Sequence, residues 1–472
     1  MIQEKIPKEL YADRFLKNNT FVFSILIFIG YLFFTFIAYP NIFIEGRIWA
    51  EEGVHWLWNN ADKTPLEALF YLQFRKLELF PNIATSLSLL FPLRYTPFIY
   101  TFTSLIPPLF LCFSISLWLS KISINKKIKN LFTTYMVVFL CGGIIAINPL
   151  GKETLLNTIN SWGYIVTAFA ILIPFLKEKN IFFLGFIFPL ISFPCTLFLP
   201  YSLAKYTFNR SRKNLFFLVG LSASTFIQFL LINFGKSNTD LIPGRDISLK
   251  SFLSSFAAFF NRTVTAIFFH SEKNLIQIDQ TNFNIKLIII LNLFVISLIL
   301  IANIYLLNKS KFNFFIKTCK TNKELFPLII VESILPITTF TFFALFLSLG
   351  GSSMLLISNG GGLRYFFPFY ATFLIISLVY LTLLNNDSYS LRRINIRKNL
   401  SYLIKIIIIS WLIIGFMKSY ISIKKDRENP MDWWCFFSRP SISKHIKINT
   451  SNRKDQIRGM EICPIGWSIP ED

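Results

Sequence analysis

Carboxylates are scarce in this chain. Asp and Glu total 25 against 47 Lys and Arg, and charged residues make up only 15% of the sequence. Soluble domains carry about 25%, so a soluble globular fold is a poor description. Histidine is rarer still. His55, His270 and His445 are the three, and none sits at a spacing such as HExxH, so no metal motif is present. The sequence shows no fixed-period repeat. No small-x-small cleavage site follows the N-terminal apolar run from Thr20 to Tyr39, and that run is too long for a signal-peptide core, so it reads as a retained first helix. A basic, aromatic-interleaved domain is also missing. The formal net charge of +22 therefore does not point to nucleic acid.

What is abundant is apolar sequence. Of the 472 residues, 53% are hydrophobic, and the mean hydropathy is +0.54. The apolar residues fall in long runs separated by short polar clusters, and a helix needs roughly 20 of them to cross a bilayer. The predicted fold is an all-α integral membrane protein. Lys and Arg gather in short loops, which places those loops in the cytoplasm. The clusters Lys5/Lys8/Arg14/Lys17, Lys121/Lys126/Lys127/Lys129, Lys205/Arg210/Arg212/Lys213, Lys309/Lys311/Lys317/Lys320/Lys323 and Arg392/Arg393/Arg397/Lys398 set a common register with the N-terminus inside.

Spans are expected at 20–39, 97–119, 131–147, 162–176, 214–234, 286–307, 325–349, 365–384 and 401–417. A short hairpin over 181–204, broken by Pro189, Pro194 and Pro200, adds two passes, for about eleven crossings. Residues 1–417 then form one transmembrane domain with a first outer loop at 40–96 and a large outer loop at 235–285. Residues 418–472 form a small extracytoplasmic tail. That tail is basic, an exception the positive-inside rule tolerates in long segments. Residues 63–96 carry Glu67, Arg75, Lys76 and Glu78, too many charges for a span. They read as two amphipathic helices on the outer surface. The richness in Phe, Ile, Asn and Lys suggests an AT-rich bacterial genome, hence a bacterial cytoplasmic (inner) membrane.

The first outer loop opens with PNIFIEGRIWAEEGVHWLWNNAD, residues 40–62. It concentrates Glu45, Glu51 and Glu52 where the chain otherwise has few acids. Adjacent residues on a helix point about 100° apart, so one of Glu51 and Glu52 is expected to face a cavity. A carboxylate beside apolar helix ends has its pKa raised by desolvation. That suits a general base taking a proton from an acceptor hydroxyl. The plainer alternative is a pair of solvated loop carboxylates. Glu51 leads the pair because it lies one helical turn before His55, itself read as interfacial.

The second outer loop, NPLGKETLLNTINSW, carries Lys152, Glu153, Asn157, Asn160 and Trp162. These fit either a capped helix start with an interfacial Trp or a set of hydrogen-bonding groups for sugar hydroxyls. The segment GGGLRYFFP places Gly360, Gly361 and Gly362 before Arg364 and Tyr365 at a predicted helix start. Backbone N–H groups, the helix N-terminus and a bidentate Arg can together hold a phosphate. A glycine-rich loop with an interfacial Arg and Tyr is the alternative. Arg245, in PGRD, is a further cationic candidate. Cys112, Cys141 and Cys195 fall within predicted helices and Cys319 in a cytoplasmic loop. Cys435 and Cys463 share the outer tail, where an oxidising compartment allows a disulfide.

Taken together, four stretches resemble the GT-C superfamily of polytopic glycosyltransferases, in particular bacterial members that decorate surface polysaccharide. They are EGRIWAEEG followed by surface amphipathic helices, ETLLNTINSW leading into a helix, the Pro-broken LISFPCTLFLPYSL before a basic turn, and GGLRYFFP with a tail containing CPIGW. Serotype-converting O-antigen glucosyltransferases share this layout. The resemblance implies a GT-C-like bundle that takes a sugar from a polyprenyl phosphate and transfers it, with inversion, to a lipopolysaccharide-type glycan on the extracytoplasmic face. In that family an acid of the first outer loop is the catalytic base, here matched by Glu51 and Glu52. The family more often has Asp in this pair.

Positive charge for the leaving phosphate can come from Arg364, Lys152 or Arg245. Glu153, Asn157, Asn160, Trp162 and Tyr365 are candidates for acceptor or sugar contacts. No cofactor is expected beyond the lipid-linked donor, and a divalent metal stays open. The partners are the bilayer, the lipid-linked sugar and the surface polysaccharide. Two other classes remain. One is an O-antigen polymerase. The other is a lipid-linked glycan flippase or transporter, which normally places ionisable groups at mid-membrane within repeats. Here Glu332 is the one acid inside a predicted span, and no repeat accompanies it.

Overall fold

The computed structural model describes residues 8–48, 52–73, 75–124, 131–146 and 156–234, with a few short pieces farther along the chain. Helix dominates. α1 (Lys8–Ala38) is followed by the short α2 (Pro40–Glu45). Pro at the first helical position of α2 costs no hydrogen bond there and sets the turn out of α1. A π-helical segment, Glu52–Leu57, runs into α3 (Trp58–Asn60). After α4 (Pro65–Leu69) comes an antiparallel hairpin of β1 (Leu72–Gln73) and β2 (Lys76–Leu77), then α5 (Leu79–Leu89). α6 (Thr96–Thr103) and α7 (Ile106–Ile124) follow almost end to end. Next are α8 (Leu131–Ala146), α9 (Trp162–Leu172), α10 (Glu178–Ile191), α11 (Leu199–Phe208) and α12 (Arg212–Phe234). A two-residue pair, β3 (Glu461–Ile462) with β4 (Trp467–Ser468), lies in the tail.

Three stretches are long and apolar enough to cross a membrane: Thr20–Ala38, Leu93–Ser120 and Arg212–Phe234. Trp162–Phe175 is a shorter apolar helix. Their starts and ends agree with the sequence reading to within a few residues. The interrupted segment is also found. α10 ends at Ile191, the chain runs through a 3-10 turn at Phe193–Phe198, and α11 resumes at Leu199. Pro194, near the start of that turn, cannot donate the backbone N–H that a continuous helix would need. The spans expected beyond residue 234, the large loop at 235–285 and Glu332 lie outside the described residues.

α9 is the centre of the bundle. All eleven of its residues are buried, as expected for a helix apolar on every side. One face joins Tyr31 and Ile27 of α1, Cys112 and Ile115 of α7 and Cys141 of α8; the other joins Phe188 of α10, Phe198 of the 3-10 turn before α11, and Phe217 of α12. Phe169 of α9 stacks on Phe188 at 4.5 Å between ring centroids. α1 and α8 cross with their backbones in close contact. A Cβ on Gly142 would overlap the Ile27 carbonyl oxygen, and one on Gly30 would overlap that of Phe139. Small residues at such crossings replace the hydrophobic drive that lipid surroundings remove. α1 and α7 are linked by hydroxyls: Thr20 Oγ1 donates to Ser120 Oγ at 2.9 Å, and Ser24 and Ser116 share a bond at 2.6 Å.

The region between α1 and α7 has a small core of its own. Ile48, Leu57, Ala61, Ala84, Leu93 and Tyr100 pack together, with Trp58 against them. Asn82 of α5 knits the pieces. Its Oδ1 accepts from Trp56 Nε1 at 3.0 Å, and its Nδ2 donates to the carbonyls of Leu69 and Tyr71 at 3.0 and 2.8 Å. Two helices, α4 and α5, stand where the sequence predicts them in 63–96. The hairpin between them is an addition to that reading. It docks on α12, where Gln228 bonds both the N–H and the carbonyl of Leu77.

Candidate active site

The site begins where the chain leaves α2. Gly46 adopts φ +70, and a Cβ there would meet Pro97 and Phe98 backbone atoms at 2.7 Å. Only glycine combines that left-handed conformation with so close a crossing. The crossing sets Arg47 against the start of α6. Its backbone N–H donates to the Pro97 carbonyl at 3.3 Å and to Thr101 Oγ1 at 3.0 Å. Arg47 is 4% exposed. Burial pulls its guanidinium down to about 10, and the nearby Glu52 carboxylate, Tyr39 and Tyr31 work in the opposite direction. It remains a cation at neutral pH. A buried charge of this kind is costly unless an opposite charge accompanies it, and Glu52 is that charge.

Glu52 opens the π-helical segment and is fully buried. Its Oε1 accepts two hydrogen bonds from one residue of the turn before α9, Thr158: one from the backbone N–H and one from Oγ1 at 2.7 Å. The turn that presents Thr158 is built locally. Leu156 has φ +47, Asn157 Oδ1 accepts from the Asn160 N–H at 2.6 Å, and Ser161 Oγ donates to the Thr158 carbonyl at 2.7 Å. This turn leads directly into α9. The two loops thus meet at one carboxylate at the start of α9.

The sequence reading is refined at several points. The expected surface α-helix at WAEEGVHWLW is π-helical over Glu52–Leu57. Glu52 is not a solvated loop carboxylate, because the fold drives it under the loop core. Asn157 serves the helix-start turn. Trp162 is not interfacial: it is 7% exposed and packs with Phe80, Ile165 and Val166. His55 is half-buried, its ring edge-on to Trp56 at 6.5 Å. Glu51, Lys152, Glu153, Arg245, Arg364, Tyr365, Cys435 and Cys463 lie outside the described residues. Cys112, Cys141 and Cys195 are buried free thiols. Among the described residues no group of three or more His, Cys, Asp or Glu is placed to hold a metal ion.

Two residues of this site were passed over in the sequence. Arg47 had a signal, being the sole cation between Pro40 and Asp62 and five positions before Glu52. Thr158 had none, since a threonine in a polar loop is unremarked until its partner is seen. The chain matches no protein-family model, no curated protein and no solved structure.

Proposed function

We propose that the chain is a polytopic membrane glycosyltransferase of GT-C type, with about eleven crossings. In this reading it moves a sugar from a polyprenyl phosphate to a cell-surface glycan on the extracytoplasmic face of a bacterial inner membrane. The observation that supports it best is the buried Glu52 carboxylate gripped by Thr158 where the two loops meet, with the Arg47 charge acting on it from nearby. An inverting transfer needs a base to take the proton of the acceptor hydroxyl and a cation to receive charge on the departing phosphate. Glu52 and Arg47, five residues apart in sequence, both buried and within electrostatic reach of one another, supply that pair of roles.

The step is a single displacement. Glu52 takes the hydroxyl proton, the acceptor oxygen bonds to the anomeric carbon, and the bond from that carbon to the phosphate oxygen breaks. The lipid phosphate leaves with the electron pair. Thr158 holds one carboxylate oxygen and thereby fixes the plane in which the base works, a contribution of orientation rather than of proton transfer. Arg47 is charged at neutral pH and stabilises the developing phosphate charge in surroundings from which water is largely excluded. Glu51, next in the chain, remains the second candidate base. Arg364, Lys152 and Arg245 remain candidates for the donor phosphate, and Tyr365 and Glu153 for the sugar.

Purified protein incubated with lipid-linked sugar and acceptor glycan tests this directly. Transfer of single sugars supports the reading. Joining of preassembled repeat units would instead indicate a polymerase, and movement of intact lipid-linked glycan across the bilayer a flippase.

A further inference from the structure

The β1–β2 hairpin carries a second polar site, remote in function from Glu52. Gln73 is 2% exposed, yet neither its Oε1 nor its Nε2 has a hydrogen-bond partner. Arg75, two residues on, has φ +60 and a buried Nε that is likewise unmatched. Lys76 is paired across the hairpin with Gln73, so the two side chains leave the same face. The Lys76 ammonium lies 4.8 Å from the centre of the Phe193 ring. Buried amide groups are normally matched. An amide offering a donor and an acceptor beside two cations calls for a ligand that combines hydroxyls with an anion.

The location narrows the source. Leu77 is bonded to Gln228 at 3.1 and 2.7 Å. Gln228 lies six residues before the end of α12 at Phe234, about 9 Å along the helix axis. The hairpin therefore sits at one end of a membrane-crossing helix, at headgroup depth. Phe226, Phe229 and Phe234 of that helix are 59%, 57% and 79% exposed and form an apolar surface suited to acyl chains. The geometry points to a binding site for the glycerophosphate headgroup of an anionic membrane lipid, with Arg75 and Lys76 on the phosphate and Gln73 on the headgroup hydroxyls. The assignment is independent of glycosyl transfer.

A single water can satisfy Gln73, and this is the competing account. Native mass spectrometry of the purified full-length protein, titrated with phosphatidylglycerol and phosphatidylcholine, separates the two. The wild type should prefer phosphatidylglycerol by about tenfold, the effect of one charge-assisted hydrogen bond. Gln73→Leu and Arg75→Ala should each lose most of that preference, and Arg75→Lys should keep part of it. Should Arg75→Ala fail to fold, Gln73→Leu and Arg75→Lys carry the test alone. Equal retention of both lipids by the wild type would overturn the assignment. So would undiminished preference in the variants, which would leave Gln73 with water only. Displacement of the lipid by soluble glycerol phosphate at matched concentration would also overturn it, because the site would then be reading a free phosphate.

Discussion

Thr158 grips the Glu52 carboxylate with two donors, its backbone N–H and its hydroxyl, across 106 residues of chain. A hydrogen bond to a carboxylate is worth about 1.5–3 kcal/mol. Thr158→Val should therefore loosen Glu52 while leaving the backbone donor in place, and turnover should fall about tenfold or more. Thr158→Ser restores the hydroxyl and should restore the rate. Single-turnover transfer by the three forms checks this.

The α1–α8 crossing gives a stability prediction. Gly142→Ala places a methyl against the Ile27 carbonyl and the Tyr31 backbone nitrogen, so the helices must separate. Overpacking of this kind costs about 1–3 kcal/mol. The variant should show a lower melting temperature in detergent than Gly185→Ala. That Cβ would meet its nearest neighbour, the Phe217 carbonyl, at 3.3 Å, and a slight shift accommodates it.

Asn82 closes three bonds inside the loop that joins α1 to α6. Asn82→Leu keeps the volume and strands the Trp56 indole N–H and two carbonyls, each at about 1–3 kcal/mol where water cannot reach. The loop core should loosen before the bundle does. Limited proteolysis should cut between residues 58 and 80 in this variant and spare the wild type.

Glu67 supplies a pH dependence. It closes a capping box with Thr64 at the start of α4, and the Thr64 N–H and hydroxyl hold its carboxyl below the ordinary 4.5. A depressed acid contributes stability that is present above its unfolded value and lost as pH falls through its folded value. Protection of the Glu67–Leu69 amides against exchange should therefore persist at pH 6 and drop below pH 4. Thr64→Ala should show little protection at either pH.

The sequence made the helical scaffold legible wherever one signal dominated. Apolar runs marked α1, α8 and α12, and Pro194 marked the break before α11, whereas Pro189 sits inside α10 and Pro200 in the first turn of α11. The loops were legible in part. Charge excluded 63–96 from the membrane, but nothing local announced a hairpin only two residues per strand, whose stability comes from Gln228 far along the chain. The acidic step was visible as composition. Its burial was not, because it depends on Gly46 crossing Pro97 and on Thr158 arriving from another loop. Trp162 misled for the same reason: a Trp at a span end is normally interfacial, and here the neighbouring α10–α12 unit covers it.

The base itself is open to a clean substitution. Gln in place of Glu52 can accept the same two bonds from Thr158 while the proton acceptor is removed, and matched membrane levels separate that loss from the cost of leaving Arg47 without its opposite charge. General-base catalysis contributes about 10²–10⁴-fold. Glycan profiling of cells producing wild type, Glu52→Gln and Glu51→Gln at matched membrane levels is the most direct measurement. Loss of the added sugar in Glu52→Gln, with normal protein level and insertion, is the expected result. Normal transfer by both variants would contradict it, leaving Glu52 as a structural clamp between two loops and removing the main support for a glycosyltransferase.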